Sequence, residues 1–390
     1  MEQEAVEVNY QKELQEALTA CMKCHLCNTV CPVCETRVTQ GPYGISRSIY
    51  YSFEWDHCDE HLRDLVYSCT TCGKCVAKCE HVSRALPLVE AVEKMREYLL
   101  VEKMKGPMPG QTNVLKNMYV RGNPWGNAPQ ERTLWAKELK IPYATEENPV
   151  DVLYYVGCAS SYDSQAQKIA KSLAKIMQHA GLRFGILEGE TCSGSEAKRM
   201  GETGLFQYLM EQNLENFKKA GVRHVVTGDP HSFYSFTHEY EKSEITFEHY
   251  TQFLNDLIDE GRLTLTREVS KKVTYHDPCY LGRHCGVFEE PRKLIRRIPG
   301  LEFVEIEDSG ENSNCCGMGG GRMWTELPEG FVTSQKIGEA RIVQALATGA
   351  EVLLTACPFC NITLNDAVKD LGKESALKVT DITECLCEAL

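Results

Sequence analysis

Eight cysteines, given as one spacing written twice, could hold metal. The run Cys21-x2-Cys24-x2-Cys27-x3-Cys31-Pro32 is echoed by Cys69-x2-Cys72-x2-Cys75-x3-Cys79. Thiolates at that spacing are the ligand set of two cubane [4Fe–4S] clusters, and in the two-cluster arrangement the fourth cysteine of each run ligates the other cluster. Cys21, Cys24, Cys27 and Cys79 would then hold one cube, and Cys69, Cys72, Cys75 and Cys31 the other. A chain so equipped is expected to pass electrons. Pro32 follows the first run as the pattern expects, whereas Glu80 stands where the second proline would be, which touches the turn and not the ligand. Zinc or disulfides are the alternatives. Zinc ribbons use two CxxC pairs rather than four closely spaced cysteines, which disfavours them here.

Five further cysteines form a second pattern, Cys279, then Cys315-Cys316-Gly317, then Cys357-Pro-Phe-Cys360. Five thiolates exceed the four that an ordinary cube needs. Cys315 and Cys316 are adjacent, so both cannot point at one iron of a regular cube. The excess suggests an opened cluster, or a cube with a spare thiol beside it. A structural zinc site is the bland alternative, and the adjacent pair argues against it. Gly317 and Met318-Gly-Gly-Gly321 leave backbone free to approach closely or to adopt positive φ. His276, Asp277 and His284 flank Cys279. A histidine there could donate a hydrogen bond to sulfur or deliver a proton to a leaving thiolate, or it could be a packed turn residue. Arg283 could offer charge to an anionic substrate or be ordinary surface. Cys34, Cys58, Cys285, Cys385 and Cys387 fit neither pattern; Cys285 lies six residues beyond Cys279.

Positioning these residues requires at least two kinds of architecture. Residues 1–105 hold the first eight cysteines between helical stretches, and Leu86–Lys105 has helical periodicity with Leu88, Val92, Met95 and Leu99 on one stripe. Residues 106–149, rich in Gly, Pro and Asn, are expected to be an irregular linker in which Trp125 is a packing anchor. From residue 150 strands alternate with helices, which implies βαβ units and mainly parallel sheets. The fold class expected is therefore α/β with an N-terminal α-helical module and two pseudo-symmetric cysteine-rich repeats, 150–266 and 267–390. Laid over one another, Cys158 matches Cys279, Cys192-Ser193-Gly194 matches Cys315-Cys316-Gly317, and Asp229-Pro-His-Ser232 matches Cys357-Pro-Phe-Cys360. Three of the five cysteines are replaced in the first copy, by Ser193, Asp229 and Ser232, which are poor substitutes for thiolate around iron–sulfur. The first repeat is expected to have lost its cluster and to survive as scaffold. Cys158 and Cys192 would then be small buried hydrophobes, while Asp229 and His231 could line a cavity facing the surviving cluster.

The bulk numbers narrow the class. The chain has 390 residues, 20 cysteines and a net charge of −13. That charge argues against nucleic acid, which wants a basic face. Met1 to Glu16 is acidic and polar, without the apolar core of a secretory signal, so the cysteines point to a reducing cytoplasm and to metal rather than to disulfides. No run approaches the length of a membrane span, so attachment to a bilayer would be borrowed from a partner. The Gly317–Gly321 glycines lack the strand and downstream acid of a dinucleotide fingerprint, and no P-loop occurs. No nucleotide or flavin is expected in this chain.

The C-terminal pattern Cys…Cys-Cys-Gly…Cys-x-x-Cys resembles the cysteine-rich "CCG" domain of heterodisulfide reductase catalytic subunits. Joined to a two-cluster ferredoxin module, the chain resembles the fused subunit of the membrane-associated enzymes. It is also similar to the related subunit of the sulfite-reduction membrane complex, thought to act on the persulfide or trisulfide of a sulfur-carrier protein. The resemblance implies that Cys279, Cys315, Cys316, Cys357 and Cys360 hold one noncubane [4Fe–4S] cluster at which a disulfide is cleaved. Cys315 and Cys316 would flank its opened irons, with His276 and His284 as candidate proton donors. It implies redox partners too: a membrane cytochrome or quinone-reactive subunit, or a flavoprotein, and a place on the inner face of the membrane. The same architecture resembles the iron–sulfur subunits of glycolate, lactate and glycerol-3-phosphate dehydrogenases, which relay electrons between flavoprotein and quinone.

Overall fold

A computed structural model describes residues 9–19, 21, 24–36, 41–79, 88–325 and 335–390; Glu80, Leu86 and Ser334 lie outside them. The N-terminal part is helical. Helices Tyr10–Leu18, Gly41–Glu54, Glu60–Ser68 and Leu88–Val101 pack against one another. The expected stripe is inward on the last of these, where Val92, Met95 and Leu99 are fully buried. Asp59 starts the Glu60–Ser68 helix by accepting Leu62 N–H at 2.8 Å, and the helix ends at Cys69, where extended backbone opens the second cysteine run.

Residues 106–149 correct the expectation of an irregular linker. They form a helix, Pro109–Arg121, and a 3-10 stretch, Pro129–Leu139, and both contribute to the core through Met118 and Trp135. The Gly and Pro residues that suggested irregularity are boundary residues. Pro109 occupies the first turn, where its missing N–H costs nothing, and Gly122 ends the helix at φ 66°. Trp125 packs edge-on to Trp324 at 4.9 Å and also lies against Phe359.

Each repeat is a four-stranded, wholly parallel sheet. The strands are β1 (Val152–Tyr155), β2 (Phe184–Gly185), β3 (His224–Thr227) and β4 (Thr246–His249) in the first repeat. In the second they are β5 (Lys271–Tyr275), β6 (Leu301–Phe303), β7 (Val352–Thr355) and β8 (Lys378–Asp381). The orders β2-β1-β3-β4 and β6-β5-β7-β8 are the same topology twice. β1 and β7 are buried along their whole length, as strands covered by helices on both faces must be. In each sheet the chain leaves its two central strands in opposite directions. The cleft between their C-terminal ends is the switch point at which such sheets bind ligands.

Candidate iron–sulfur centres

The cysteines of the N-terminal module converge on two cavities. One is lined by Cys21, Cys24, Cys27 and Cys79, with Tyr43, Lys78 and Leu88 around them. The other is lined by Cys31, Cys69, Cys72 and Cys75, walled by Val33, Ile45 and Val92. Each thus draws three thiols from one run and the fourth from the other. The residues present fit a four-thiolate group in both places, since four sulfurs face one small space with apolar walls.

The five C-terminal cysteines lie at the switch point of the second sheet. Cys279 follows β5 and Cys357 follows β7, the two neighbouring central strands. Cys357 stands at the N-cap position of the helix Pro358–Asp370 and Cys360 sits in its first turn. The loop carrying Cys315 and Cys316 closes the site, and all five are buried. Their sulfurs form an unbroken series of contacts, Cys279 to Cys315, Cys315 to Cys316, Cys316 to Cys360 and Cys360 to Cys357. Hydrogen bonds from Cys315 and Cys360 push the Cys316 thiol well below its usual range. Cys315 also touches Cys72. A ligand position of the second four-thiol cavity therefore abuts the five-sulfur site directly.

The second cavity and this site are held together by buried and half-buried cations. Arg283 donates to the carbonyls of Cys72 at 2.8 Å and Ser313 at 2.7 Å. Arg322 donates to Ser68 O at 2.8 Å, and Arg96 bridges Cys69 O at 2.7 Å to Gly320 O at 2.9 Å. Lys74 reaches Asn314. Arg283 Nη2, Arg322 Nε and His276 Nε2 are buried N–H positions with no partner among the described residues. Unmade bonds of this kind are costly, and sulfur acceptors of a bound cluster would satisfy them. The glycine run has a packing role. A Cβ on Gly319 would lie 2.4 Å from Thr70 O and one on Gly320 2.6 Å from Cys69 O, so only glycine lets the two cysteine loops meet.

His276 and His284 part company. A ring nitrogen of His276 lies within 4.8 Å of the Cys316 and Cys360 sulfurs, as they do of each other. Burial, then the adjacent Arg341, hold its pKa well below the ordinary value. Arg341 Nε donates to its Nδ1 at 3.2 Å, so the neutral ring carries its proton on Nε2. His284 instead lies between the modules, its Nε2 2.9 Å from Thr71 O and its ring stacked on Tyr280 at 4.3 Å. It holds the Cys69–Cys75 loop and does not face the five sulfurs. Arg283, read from sequence as surface or as a substrate anchor, binds backbone at the same junction. Cys285 packs, half-buried, against the apolar core that includes Leu281, Val287 and Leu294. Nothing in the local sequence pointed to Arg96, Arg322 or Arg341.

Comparison with known proteins accords with this geometry. The 4Fe-4S dicluster domain family matches residues 15–82, and the cysteine-rich domain family, CCG, matches 152–237 and 273–365. The chain is 32% identical to one subunit of the dihydromethanophenazine:CoB–CoM heterodisulfide reductase of Methanosarcina barkeri, over 96% of this chain and 94% of that one. The chain belongs to the family of that heterodisulfide reductase subunit. It is also 36% identical to a probable iron-sulfur-binding oxidoreductase, FadF, of Bacillus subtilis and 34% identical to an EtfAB:quinone oxidoreductase of Syntrophomonas wolfei. It spans about half of those two proteins, 46% and 47% of their lengths. A hypothetical protein from Helicobacter pylori shares the fold at a TM-score of 0.59 and 12% identity, over 98% of this chain and 73% of its own. This family member is thus an iron–sulfur protein of the oxidoreductase type, with a dicluster module and two CCG repeats. No helix among its described residues is long and apolar enough to cross a membrane.

Proposed function

We propose that this chain is the redox subunit at which electrons, received from a partner, reach a disulfide or a sulfur-carrier persulfide or trisulfide. Two cubane clusters, on Cys21, Cys24, Cys27 and Cys79 and on Cys31, Cys69, Cys72 and Cys75, would form the wire. A noncubane-type cluster on Cys279, Cys315, Cys316, Cys357 and Cys360 would end it. The observation that carries this reading is the contact between Cys72 and Cys315, which joins a four-thiol cavity to the five-sulfur site without intervening protein.

When bound, the clusters supply one-electron steps and, at the five-sulfur site, a metal centre for sulfur. The protein's own part is placement. Arg96, Arg283, Arg322 and His284 fix the Cys69–Cys75 loop against the second repeat, so the transfer distance is set by packed backbone. His276, neutral and held by Arg341, offers an N–H to a sulfur and has no proton to give up as an acid near pH 7. Burial of the five cysteines keeps water from the reacting sulfur. The electron source is proposed to be a cytochrome or quinone-reactive subunit, or a flavoprotein, with the chain on the cytoplasmic face of the membrane.

A relay role is the second reading. The relative named EtfAB:quinone oxidoreductase favours it, because that name sets a quinone opposite its redox chemistry. Anaerobic EPR of the oxidised protein, with and without thiol and disulfide substrates, separates the two. We expect a signal that changes with substrate and is absent in Cys316→Ala, with turnover lost and both cubane signals kept. Full turnover in Cys316→Ala, or signals indifferent to every thiol offered, would leave the relay.

A further inference from the structure

The first repeat keeps the shape of a cluster site without its ligand set. Cys158, Cys192, Ser193, Asp229 and Ser232, the five positions that match the cysteines of the second repeat, still line one cavity, with Glu196, His231 and Phe359. Three of them have closed on one another. Ser232 Oγ donates to Asp229 Oδ2 at 2.6 Å and lies 3.0 Å from Ser193 Oγ, and Asp229 caps the following helix through the N–H groups of His231 and Ser232. An Asp at a helix N-cap is a stable substitute for a ligand, so this half of the site is committed to structure. The two remaining cysteines are not.

Cys158 and Cys192 are in side-chain contact and both are buried. A pair of inert apolar thiols would have no use for a cation. Yet Arg132, itself buried, aims Nη1 and Nη2 at Cys158 Sγ, at 3.4 and 3.5 Å, while Glu190 fixes the same guanidinium through an ion pair at 2.6 Å. Burial pushes the Cys158 thiol up, but the bond from Cys192 and the charge of Arg132 outweigh it, and the net direction is down. At Cys385, by contrast, burial prevails over the charge of Lys271 and carries the thiol up to about 12. His231 Nδ1 and Ser195 Oγ, both lining this cavity, are buried without a partner among the described residues.

We propose that the first repeat houses a redox-active dithiol, Cys158 and Cys192, that forms a reversible disulfide by exchange with a low-molecular-weight disulfide. The Cys158 thiolate attacks one sulfur of the small disulfide, forming a mixed disulfide and releasing one thiolate. Cys192–SH then attacks the Cys158 sulfur, the protein disulfide forms, and the second small thiol leaves with the Cys192 proton. Two electrons pass from the dithiol to the small disulfide, which ends as one thiolate and one thiol. Phe359, between Cys357 and Cys360 in the first turn of the helix Pro358–Asp370, forms part of the cavity wall. A two-electron site would therefore sit against the five-sulfur site. This assignment stands whether or not that site binds a cluster.

The test uses the cluster-loaded full chain, equilibrated without oxygen over a series of 2-hydroxyethyl disulfide to 2-mercaptoethanol ratios. Each sample is acid-quenched, blocked with N-ethylmaleimide and mapped by peptide mass spectrometry. The expected result is a Cys158–Cys192 cross-linked peptide whose share rises with the ratio while iron content stays constant. Cys192→Ser should lose the cross-link and carry the probe as a mixed disulfide on Cys158. In a time course at one such ratio, Arg132→Gln should slow cross-linking by roughly tenfold or more, as loss of a thiolate-stabilising cation requires. Both thiols blocked at every ratio, or a cross-link that appears only as iron is lost, would overturn the proposal. Failure of the EPR experiment above would leave this result untouched.

Discussion

The two repeats are the same fold carrying opposite chemistry. Their sheets have one strand order, and their central strands end at matching positions. In the second repeat the site at those ends holds five buried sulfurs, and one of them, Cys315, touches Cys72. In the first they carry a hydroxyl–carboxylate network closed on itself beside a thiol pair held by Arg132. The ferredoxin module respects the difference. It reaches the first repeat through structural bonds such as Tyr67 Oη to Met200 O at 2.7 Å, and the second through the loop that holds Cys69, Cys72 and Cys75. The sheet therefore supplies positions, ligand identity decides what they do, and a repeat can lose its ligands while keeping its backbone. Aspartate makes this possible, because at a helix start it caps where cysteine would ligate.

The strongest way to break that contrast is to exchange the ligands. Cys316→Ser, Cys357→Asp and Cys360→Ser together give the second repeat the residues of the first. Iron should fall from about twelve to about eight per chain, four for each cluster. Far-UV circular dichroism should stay as it was. A collapsed fold would mean that the cluster, and not the sheet, holds the second repeat together. The reverse exchange, Ser193→Cys, Asp229→Cys and Ser232→Cys, sharpens the point: a gain of iron would show that only ligand identity separates the repeats.

Much of this comparison was legible in the sequence. Cysteine spacing is a local signal, and it carried both four-thiol groups, their exchanged fourth members and the alignment of the repeats. Strands made of apolar residues, such as β1 and β7, stand out in the sequence as short apolar runs between helical stretches. The short β2, the edge strands β4 and β8, and the helices within 106–149 have no such signal. Edge strands have little apolar signal, and Gly122 and Pro109 resemble loop formers when they are in fact helix ends. The junction was illegible for another reason. Arg96, Arg283, Arg322 and Arg341 act on backbone or side chains distant in sequence, and no local pattern announces a cation that the fold will bury. Cys72 and Cys315 likewise meet only because the glycine run and the arginines bring their loops together.

A second contrast lies at the ends of the outer strands, where His249 in the first repeat matches Asp381 in the second. Each begins a helix, and Tyr250 Oη from the first repeat donates to Asp381 Oδ1 at 2.9 Å. Burial pushes the Asp381 carboxyl up to about 7 and pulls His249 down to about 3. The two therefore pull stability in opposite directions with pH. The raised carboxyl favours the folded state below its unfolded pKa, and that contribution is lost as pH rises from about 4 to about 7. The depressed imidazole contributes above about 6.5, and its contribution is lost as pH falls from there towards 3. A shift of three units is worth at most about 4 kcal/mol. Asp381→Asn should flatten the fall in urea midpoint between pH 5 and 7.5, and His249→Asn the fall between pH 6 and 4. Variants that keep the parent's profile on both sides would remove these groups as its cause.

The smallest expected effect tests what the arginines add beyond placement. Arg283 is buried against Cys72, Cys279 and Cys315, and its Nη2 is unpartnered among the described residues. A cation and a free N–H beside a cluster stabilise the reduced, more negative state, which raises its potential. Loss of a charge-assisted bond of about 1.5 kcal/mol corresponds to about 60 mV for one electron. Arg283→Met should therefore lower, by about that amount, the potential of the clusters that Cys72 and Cys315 would ligate, read by EPR-monitored redox titration. The cube on Cys21, Cys24, Cys27 and Cys79 should be unmoved. Arg283→Lys keeps the charge and loses the fork, so it separates the two contributions. Potentials near the parent in the lysine variant would assign the effect to charge, and potentials as low as in the methionine variant would assign it to the fork. An equal shift in all clusters would mean that the arginine acts on the module as a whole, and the special standing of the Cys72–Cys315 junction would be lost.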